Sequence, residues 1–384
     1  MLTDITMRSG IQVQQPLGYK SFKPSPLPPN PSLKIDREML ELNSKADLAI
    51  GRLDSLGNFI PDAELFVFMY VRKEAVISSQ IEGTQATLVD VLDFEAGNLE
   101  VNERSDVDEV VNYINAMNYG LNEITRASGL PLSLRLIKDI HKRLLAGVRG
   151  QNRTPGDFRT TQNWIGGTMP GNAIYVPPDV HDMTPALHDF ENYVRNKKDL
   201  PPLIRTALIH SQFETIHPFL DGNGRVGRLL ITFYLCHEQI LKRPLLYLSF
   251  FLKKNQQTYY DLLQSIRISG DYETWVKFLL RGVIETASEA VSTAKSIIEL
   301  READRKKMTG LGRGMRRGMI LLDNLYTYPT VTIDTVKRIT NLSNKAAGDL
   351  VSKFVEFGIL NEVTGRRRNR KFSYTAYLDI LSTR

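Results

Sequence analysis

Apolar residues recur at helical spacing through most of the chain, with polar residues between them. The periodicity predicts helices over 36–56, 61–81, 105–126, 132–147, 185–198, 203–216, 224–240 and 259–269. Pro61 at a first-turn position and Gly147 beyond a last periodic residue are ordinary helix punctuation. Strand-like alternation is scarce, so a mainly α fold is expected. Two stretches interrupt the pattern. "FKPSPLPPNPSL", Phe22 to Leu33, has five prolines and reads as an extended arm over a folded surface. "TTQNWIGGTMPGNAIYVPP", Thr160 to Pro178, has β-prone ends around a Gly/Pro/Asn-rich centre and reads as a small β-hairpin flap, or equally as a plain surface loop.

Composition changes this picture little. The 42% hydrophobic and 24% charged fractions are those of a globular chain, and 384 residues suffice for two or three domains. No apolar run approaches the roughly 20 residues of a membrane span, and no export signal opens the sequence, so a cytoplasmic location without membrane contact is expected. The single cysteine, Cys236, has no partner for an internal disulfide and reads as a buried thiol. Charge is more informative. Residues 311–384 hold 13 of the 49 Lys and Arg but 6 of the 43 Asp and Glu, leaving 36 against 37 elsewhere. The basic surplus is therefore C-terminal, pointing to an acidic partner such as nucleic acid or to a solvated basic face.

Candidate chemistry concentrates in "HPFLDGNGRVGR", His217 to Arg228. Helical patterns precede and follow it, so Gly222, Asn223 and Gly224 fall where a helix begins. Backbone N–H groups there lack intrahelical partners, and the positive end of the helix dipole lies behind them. Arg225 and Arg228 are three apart and share a face, where both can bind phosphate oxygens. Asp221 suits Mg2+, which takes one or two protein carboxylates beside phosphate oxygens. His217 is positioned to accept a proton from an attacking hydroxyl. "GNGRVG" also fits a dinucleotide fingerprint, but a helix precedes it where that motif needs a strand. Zinc binding by His210 and His217 lacks companion ligands at usual spacings.

These residues resemble the H-P-F-x-[DE]-G-N-G-R-x-x-R signature of the Fic family without departure at any defining position. Members mostly transfer AMP from ATP to a protein hydroxyl. The resemblance covers roughly residues 20–290, the approach "GDFRTTQNWIGG" included. It implies a Fic helical core with His217 as general base, Asp221 holding Mg2+, and Gly222, Asn223, Gly224, Arg225, Gly227 and Arg228 binding the nucleotide. Asn255, Tyr259 and Tyr260 in "KKNQQTYYDLL" resemble the family's adenosine-side residues. The flap would pair with the target's backbone as an added strand. "SSQIEG" from Ser78 matches the family's inhibitory S-x-x-x-E-G, here upstream of the catalytic motif. Glu82 falls at the end of its helix, where the dipole disfavours a carboxylate. Pairing with Arg228 would favour it there and would inhibit transfer.

The segment from Arg316 resembles a winged helix-turn-helix domain. Its third helix, 343–357, would read DNA, and the tip "TGRRRNRK", with Arg366, Arg367, Arg368, Arg370 and Lys371, would be the wing. Such modules also dock proteins. The expected division is 1–104 (arm and inhibitory helix), 105–286 (catalytic core), 287–310 (connecting helix) and 311–384 (winged helix). The activity implied is an autoinhibited adenylyltransferase, a nucleotidyltransferase modifying a Ser, Thr or Tyr hydroxyl of a target protein and of itself, with a homodimer expected. The alternatives are a DNA-binding regulator whose Fic body senses nucleotide, or a Fic enzyme that removes AMP or uses another donor.

Overall fold

A computed structural model describes residues 8–59, 63–96, 104–196, 199–366 and 368–382. Pro61, Lys198 and Arg367, each part of an expectation above, lie outside the described residues. Two compact units divide the chain. Met1–Asp54, Tyr70–Ala86 and Ser105–Ser288 form one, and Ser55–Met69, Thr87–Arg104 and Glu289–Arg384 the other.

The first unit opens with an antiparallel hairpin, β1 (Gly10–Gln14) and β2 (Lys20–Pro24), in register from Gly10↔Pro24 to Gln14↔Lys20. Helices follow: α1 (Arg37–Phe59), α2 (Ala63–Ile81), α3 (Leu88–Glu95), α4 (Arg104–Thr125), α5 (Leu134–Leu144) and α6 (Val180–Asn196), of which α3, the end of α1 and the start of α2 belong to the second unit. α6 begins before the expected Pro185 because Asp179 caps it, accepting from Asp182 N at 2.8 Å. Pro185 lies early in the helix and removes only one backbone bond. The hydrophobic centre is the pair α7 (Pro202–Ile216) and α8 (Asn223–His237). Every side chain from Leu203 to Ile216 is buried. Each Leu, Ile or Phe buried there contributes about 1.5–3 kcal/mol. The polar residues of α7 find partners in the core: Gln212 Nε2 donates to Ser25 O at 2.9 Å, and Arg205 donates to the Tyr193 and Val194 carbonyls. α9 (Leu248–Lys254), α10 (Gln256–Ser269) and the first part of α11 (Tyr272–Lys307) complete the unit.

The flap closes on a single antiparallel bridge, Ile165↔Tyr175, rather than a ladder. Gly166 and Gly167 take left-handed φ values of 69° and 70°, and Pro170, Pro177 and Pro178 supply no N–H, so strand pairing cannot propagate. β2 reaches it through Phe22 N, which donates to Val176 O at 2.9 Å.

α11 is one helix of 36 residues, and the expected boundary at 286–287 falls inside it. The second unit then contains α12 (Met315–Leu325), β3 (Thr330–Thr332), α13 (Ile333–Thr340), α14 (Asn344–Glu356), β4 (Asn361–Glu362), β5 (Lys371–Ser373) and α15 (Thr375–Ser382). Its sheet has the antiparallel order β3-β5-β4. Thr332 and Ser343 cap α13 and α14 through their side-chain oxygens, and Asn341 makes the turn between them at φ 51°. Buried Tyr326, Tyr374 and Tyr377 pack against one another, with the Tyr374 hydroxyl donating to Asp304.

Candidate active site

The loop between α7 and α8 holds its shape through its backbone. His217 ends α7 in the left-handed region at φ 49°, and Gly222 opens α8 at φ 78°. Asn223 staples the turn, its Oδ1 accepting from Phe219 N at 2.9 Å and its Nδ2 donating to Phe219 O at 2.8 Å. Side chains distant in sequence hold the remaining carbonyls. Arg159 Nε donates to His217 O at 3.1 Å, and Asn163 Nδ2 to His217 O and Phe219 O at 3.2 and 2.8 Å. His141 stacks on Phe219 with centroids 3.7 Å apart. Its Nδ1 accepts from Gly156 N, so Nε2 carries the proton and donates to Asp221 O at 3.0 Å. Burial pushes the His141 pKa down to about 4, which keeps that ring neutral. Neutral bonds of this kind are worth about 0.5–1.5 kcal/mol each and the one from the Arg159 cation about 1.5–3, so the functional side chains leave a stiff frame.

His217 points one nitrogen inward: Nδ1 is buried without a hydrogen-bond partner, 3.8 Å from Glu214 Oε2. Burial, reinforced by the cations Arg267 and Arg159, pushes its pKa down to about 3. The imidazole is therefore neutral at physiological pH and can accept a proton through Nε2. Asp221 Oδ1 accepts from Gly222 N at 2.6 Å and lies 3.7 Å from Arg225 Nη2. A Cβ at Gly150 would sit 2.8 Å from Asp221 Oδ2, so the glycine leaves that oxygen room. One half-exposed carboxylate beside an anion cradle fits Mg2+, which takes most of its ligands from phosphate and water. Among the described residues a separate Asp179, His181 and Asp182 group also has metal-ligand spacing, but Lys23 already pairs with Asp182 at 2.8 Å.

Both motif arginines are buried, at 1% and 2% exposure, and each is met by a carboxylate. Arg228 Nη2 donates to Glu82 Oε1 at 2.7 Å and to Ser78 O at 3.0 Å, while Nε donates to Ser78 Oγ at 2.8 Å. Burial raises the Glu82 pKa, but Arg228 outweighs it and holds the carboxyl below its ordinary range. Glu82 lies one residue beyond α2, and its carboxylate rests on the first turn of α8, where a Cβ on Gly224 would come within 2.4 Å of Oε1. The charge disfavoured at the end of α2 is thus favoured by the start of α8. Arg225 Nη1 meets Glu109 Oε2 at 3.4 Å. Glu109 also accepts from Thr84 Oγ1 at 3.1 Å and pairs with Arg149 Nε at 3.3 Å, and Arg149 donates to Glu82 O at 3.2 Å. A cavity of about 1130 Å³ opens beside this network, lined by Asp106, Glu109, Arg149, Gly150 and Asp221 among others.

Four expected residues stand apart. Gly227 packs on α7: a Cβ there would lie 2.3 Å from Glu214 Oε1, and its carbonyl accepts from His210 Nδ1. Asn255 Nδ2 is spent on Phe251 O at 2.9 Å. Tyr259 is buried, its hydroxyl donating to His210 Nε2 at 2.9 Å, whereas Tyr260 is exposed. Sequence reasoning missed Glu109, His141, Arg149, Arg159, Asn163 and Glu214. Arg159 and Asn163 lay within the quoted "GDFRTTQNWIGG" and Glu214 beside the motif, but none was given a role.

A helical protein with a neutral imidazole, a carboxylate and two guanidiniums around one helix N-terminus is equipped for anionic, phosphate-bearing ligands. Residues 40–122 match the family model described as Fic/DOC family N-terminal, and residues 131–235 that described as Fic/DOC family. The chain therefore carries two domains of the Fic/DOC family, at 40–122 and 131–235. It is similar to Protein adenylyltransferase Fic of Aedes aegypti, 31% identical over 182 residues, 47% of this chain and 32% of that protein. The same-named protein of Drosophila grimshawi is 30% identical over 182 residues, again 47% of this chain and 33% of the relative. The chain thus spans about a third of the length of these curated relatives. Among solved structures, a Fic family protein from Desulfovibrio desulfuricans G20 shares the fold with a TM-score of 0.58, 19% identity, and coverage of 89% of this chain and 97% of that one. Fic-1 of C. elegans follows with a TM-score of 0.53, 19% identity, and coverage of 68% and 74%.

Proposed function

We propose that the chain transfers AMP from ATP to a Ser, Thr or Tyr hydroxyl of a target protein and of itself. The observation carrying this reading is the neutral His217 fixed beside an α8 N-terminus that bears two buried guanidiniums. The target hydroxyl gives its proton to His217 Nε2 as its oxygen bonds to the α-phosphorus. The bond from that phosphorus to the bridging oxygen breaks, and pyrophosphate leaves. The N–H groups of residues 223–225 and the side chains of Arg225 and Arg228 stabilise the phosphate charge. Asp221 would hold Mg2+, which neutralises phosphate charge when bound. The name of the insect relatives supports AMP as the group moved.

Autoinhibition is part of this reading. Glu82 and Ser78 accept the hydrogen bonds that Arg228 donates, so the γ-phosphate finds that guanidinium taken while Glu82 stays. The flap, with Ile174 exposed at 71%, would align the target backbone. We assign 1–104 to the arm and inhibitory region, 105–286 to the catalytic core, 287–310 to a connector and 311–384 to a winged helix, whose element order and exposed Arg366, Arg368 and Arg370 support DNA as partner. ATP supply favours a cytoplasmic site, and self-modification favours a homodimer. No described helix is long and apolar enough to cross a membrane. The test is label retention by Glu82→Gly protein given Mg2+ and ATP. Label at the α-phosphate should stay on protein and label at the γ-phosphate should not. Retention of γ-label instead would mean phosphoryl transfer and would refute this reading.

A further inference from the structure

Glu214 is a buried carboxyl that the reaction above leaves unused. It lies in the last turn of α7, three residues before His217, and is 6% exposed. Its Oε1 is buried without a hydrogen-bond partner, as is His217 Nδ1, and Oε2 lies 3.8 Å from that nitrogen. Leaving a buried polar group unpaired costs about 1–3 kcal/mol, and here two such groups are neighbours. The missing side chain of Gly227 on α8 is what admits the carboxyl, since a Cβ there would lie 2.3 Å from Oε1.

We propose that Glu214 is the positioning residue for His217, closing onto Nδ1 and deciding which ring nitrogen carries the proton. The ionised carboxylate accepts from Nδ1–H, which leaves Nε2 bare to receive the target's proton. The protonated carboxyl donates to Nδ1 instead, and the ring's own proton then sits on Nε2 and blocks the base. An orienting carboxylate behind a histidine acts in this way in other folds. Burial pushes the Glu214 pKa up to about 7, so both forms are present near neutrality. The groups facing it are Arg228 on α8, Arg267 and Tyr259 on α10, and Glu82 beyond α2. The two cations favour ionisation and Glu82 opposes it. Departure of Glu82 would therefore free Arg228 and also ease Glu214 toward the active form.

This inference deepens the AMP-transfer reading and rests on it for its kinetic arm. AMP transfer by the full chain would be followed from pH 5.5 to 9 in Glu82→Gly protein, with and without Glu214→Gln or Glu214→Asp. The parent rate should climb with pH through a midpoint at or below about 7. Glu214→Gln should flatten that limb and lower kcat about ten- to a hundredfold with KM for ATP unchanged, and Glu214→Asp should restore part of the limb. A spectroscopic arm needs no turnover: with 15N-histidine, the His217 ring signals, identified by their loss in His217→Ala, should change tautomer with the same midpoint and stay constant in Glu214→Gln. A limb that survives Glu214→Gln, or a His217 tautomer that ignores pH in the parent, overturns the proposal. If no variant transfers AMP, the activity reading fails, and the ring signals still decide the role of Glu214.

Discussion

The chain has two arginine-bearing segments, the start of α8 and the loop between β4 and β5, and the protein treats them in opposite ways. Arg225 and Arg228 are 1% and 2% exposed and meet Glu109, Glu82 and Ser78. Arg366, Arg368 and Arg370, between β4 and β5, are all exposed. A buried guanidinium must be paired, because desolvating an unmatched charge costs several kcal/mol. On the AMP-transfer proposal, the carboxylates on the motif arginines hold places that phosphate would take, and exchange between the two would be the basis of regulation. Exposed arginines need no such partner. They contribute a salt-sensitive attraction to any polyanion and little to the fold. The same side chain thus builds a shaped site in one segment and an electrostatic surface in the other.

The largest effect that sharpens this contrast is at the base. In Glu82→Gly protein, His217→Ala should reduce AMP transfer about 10²–10⁴-fold, measured by initial rates, with ATP affinity little changed. Next is the lock itself. Glu82→Gly frees the charge-assisted bonds of Arg228, worth about 1.5–3 kcal/mol, so ATP should bind about ten- to a hundredfold more tightly by calorimetry. Unchanged affinity would show that the carboxylate withholds nothing.

The third effect concerns buried charge in general. His141 and His210, each held down to about 4 by burial, and His217, held to about 3, stay neutral when folded, while unfolded histidines protonate near pH 6.5. Their contribution to stability is present above that pH and is lost as pH falls toward the folded values. Glu74 and Glu214, raised by burial to about 7, work the other way: theirs is present below the unfolded carboxyl value and lost as pH rises through 7. Three groups against two leave one net proton taken up on unfolding. Urea unfolding should show stability falling from pH 6.5 to 5, and Glu74→Gln should steepen the fall by about 1.4 kcal/mol per pH unit. A shallower slope in the variant would contradict the burial argument. The smallest effect is at the exposed loop. Arg366→Ala, Arg368→Ala and Arg370→Ala together should leave stability within about 0.5 kcal/mol. The salt dependence of duplex DNA binding should weaken by about 0.9 for each phosphate that is no longer neutralised.

The sequence was most legible where one short segment carries the chemistry. His217, Asp221, Gly222, Asn223, Gly224, Arg225 and Arg228 are adjacent in the chain and adjacent in space, and the spacing of Ser78 and Glu82 places both on Arg228. What escaped was whatever only the tertiary fold brings near. Arg159 and Asn163 hold the motif's carbonyls from a loop 54 or more residues upstream, and Glu109 reaches Arg225 across 116 positions. No local pattern marks Glu109, and the resemblance of "GDFRTTQNWIGG" did not say what its Arg159 and Asn163 hold. The β1–β2 hairpin had a readable sign, since Ile11 and Val13 alternate with polar residues before Pro16 and Gly18, but the prolines beyond drew attention to the arm. The flap, open in the sequence between a hairpin and a plain loop, closes on a single bridge because its glycines and prolines outweigh its β-prone ends. α7 is buried on every side, so Arg205, His210, Gln212 and Glu214 are core residues, which helical spacing alone does not reveal.

The central claim is that Glu82 withholds Arg228 from ATP and that His217 does the chemistry once it is released. Label from α-labelled ATP with Mg2+, counted on wild-type, Glu82→Gly and Glu82→Gly/His217→Ala proteins side by side, tests it most directly. Weak labelling is expected in the wild type, strong labelling in the single variant and none in the double variant. Equal labelling of the first two would contradict the lock, and labelling that persists in the double variant would contradict the base.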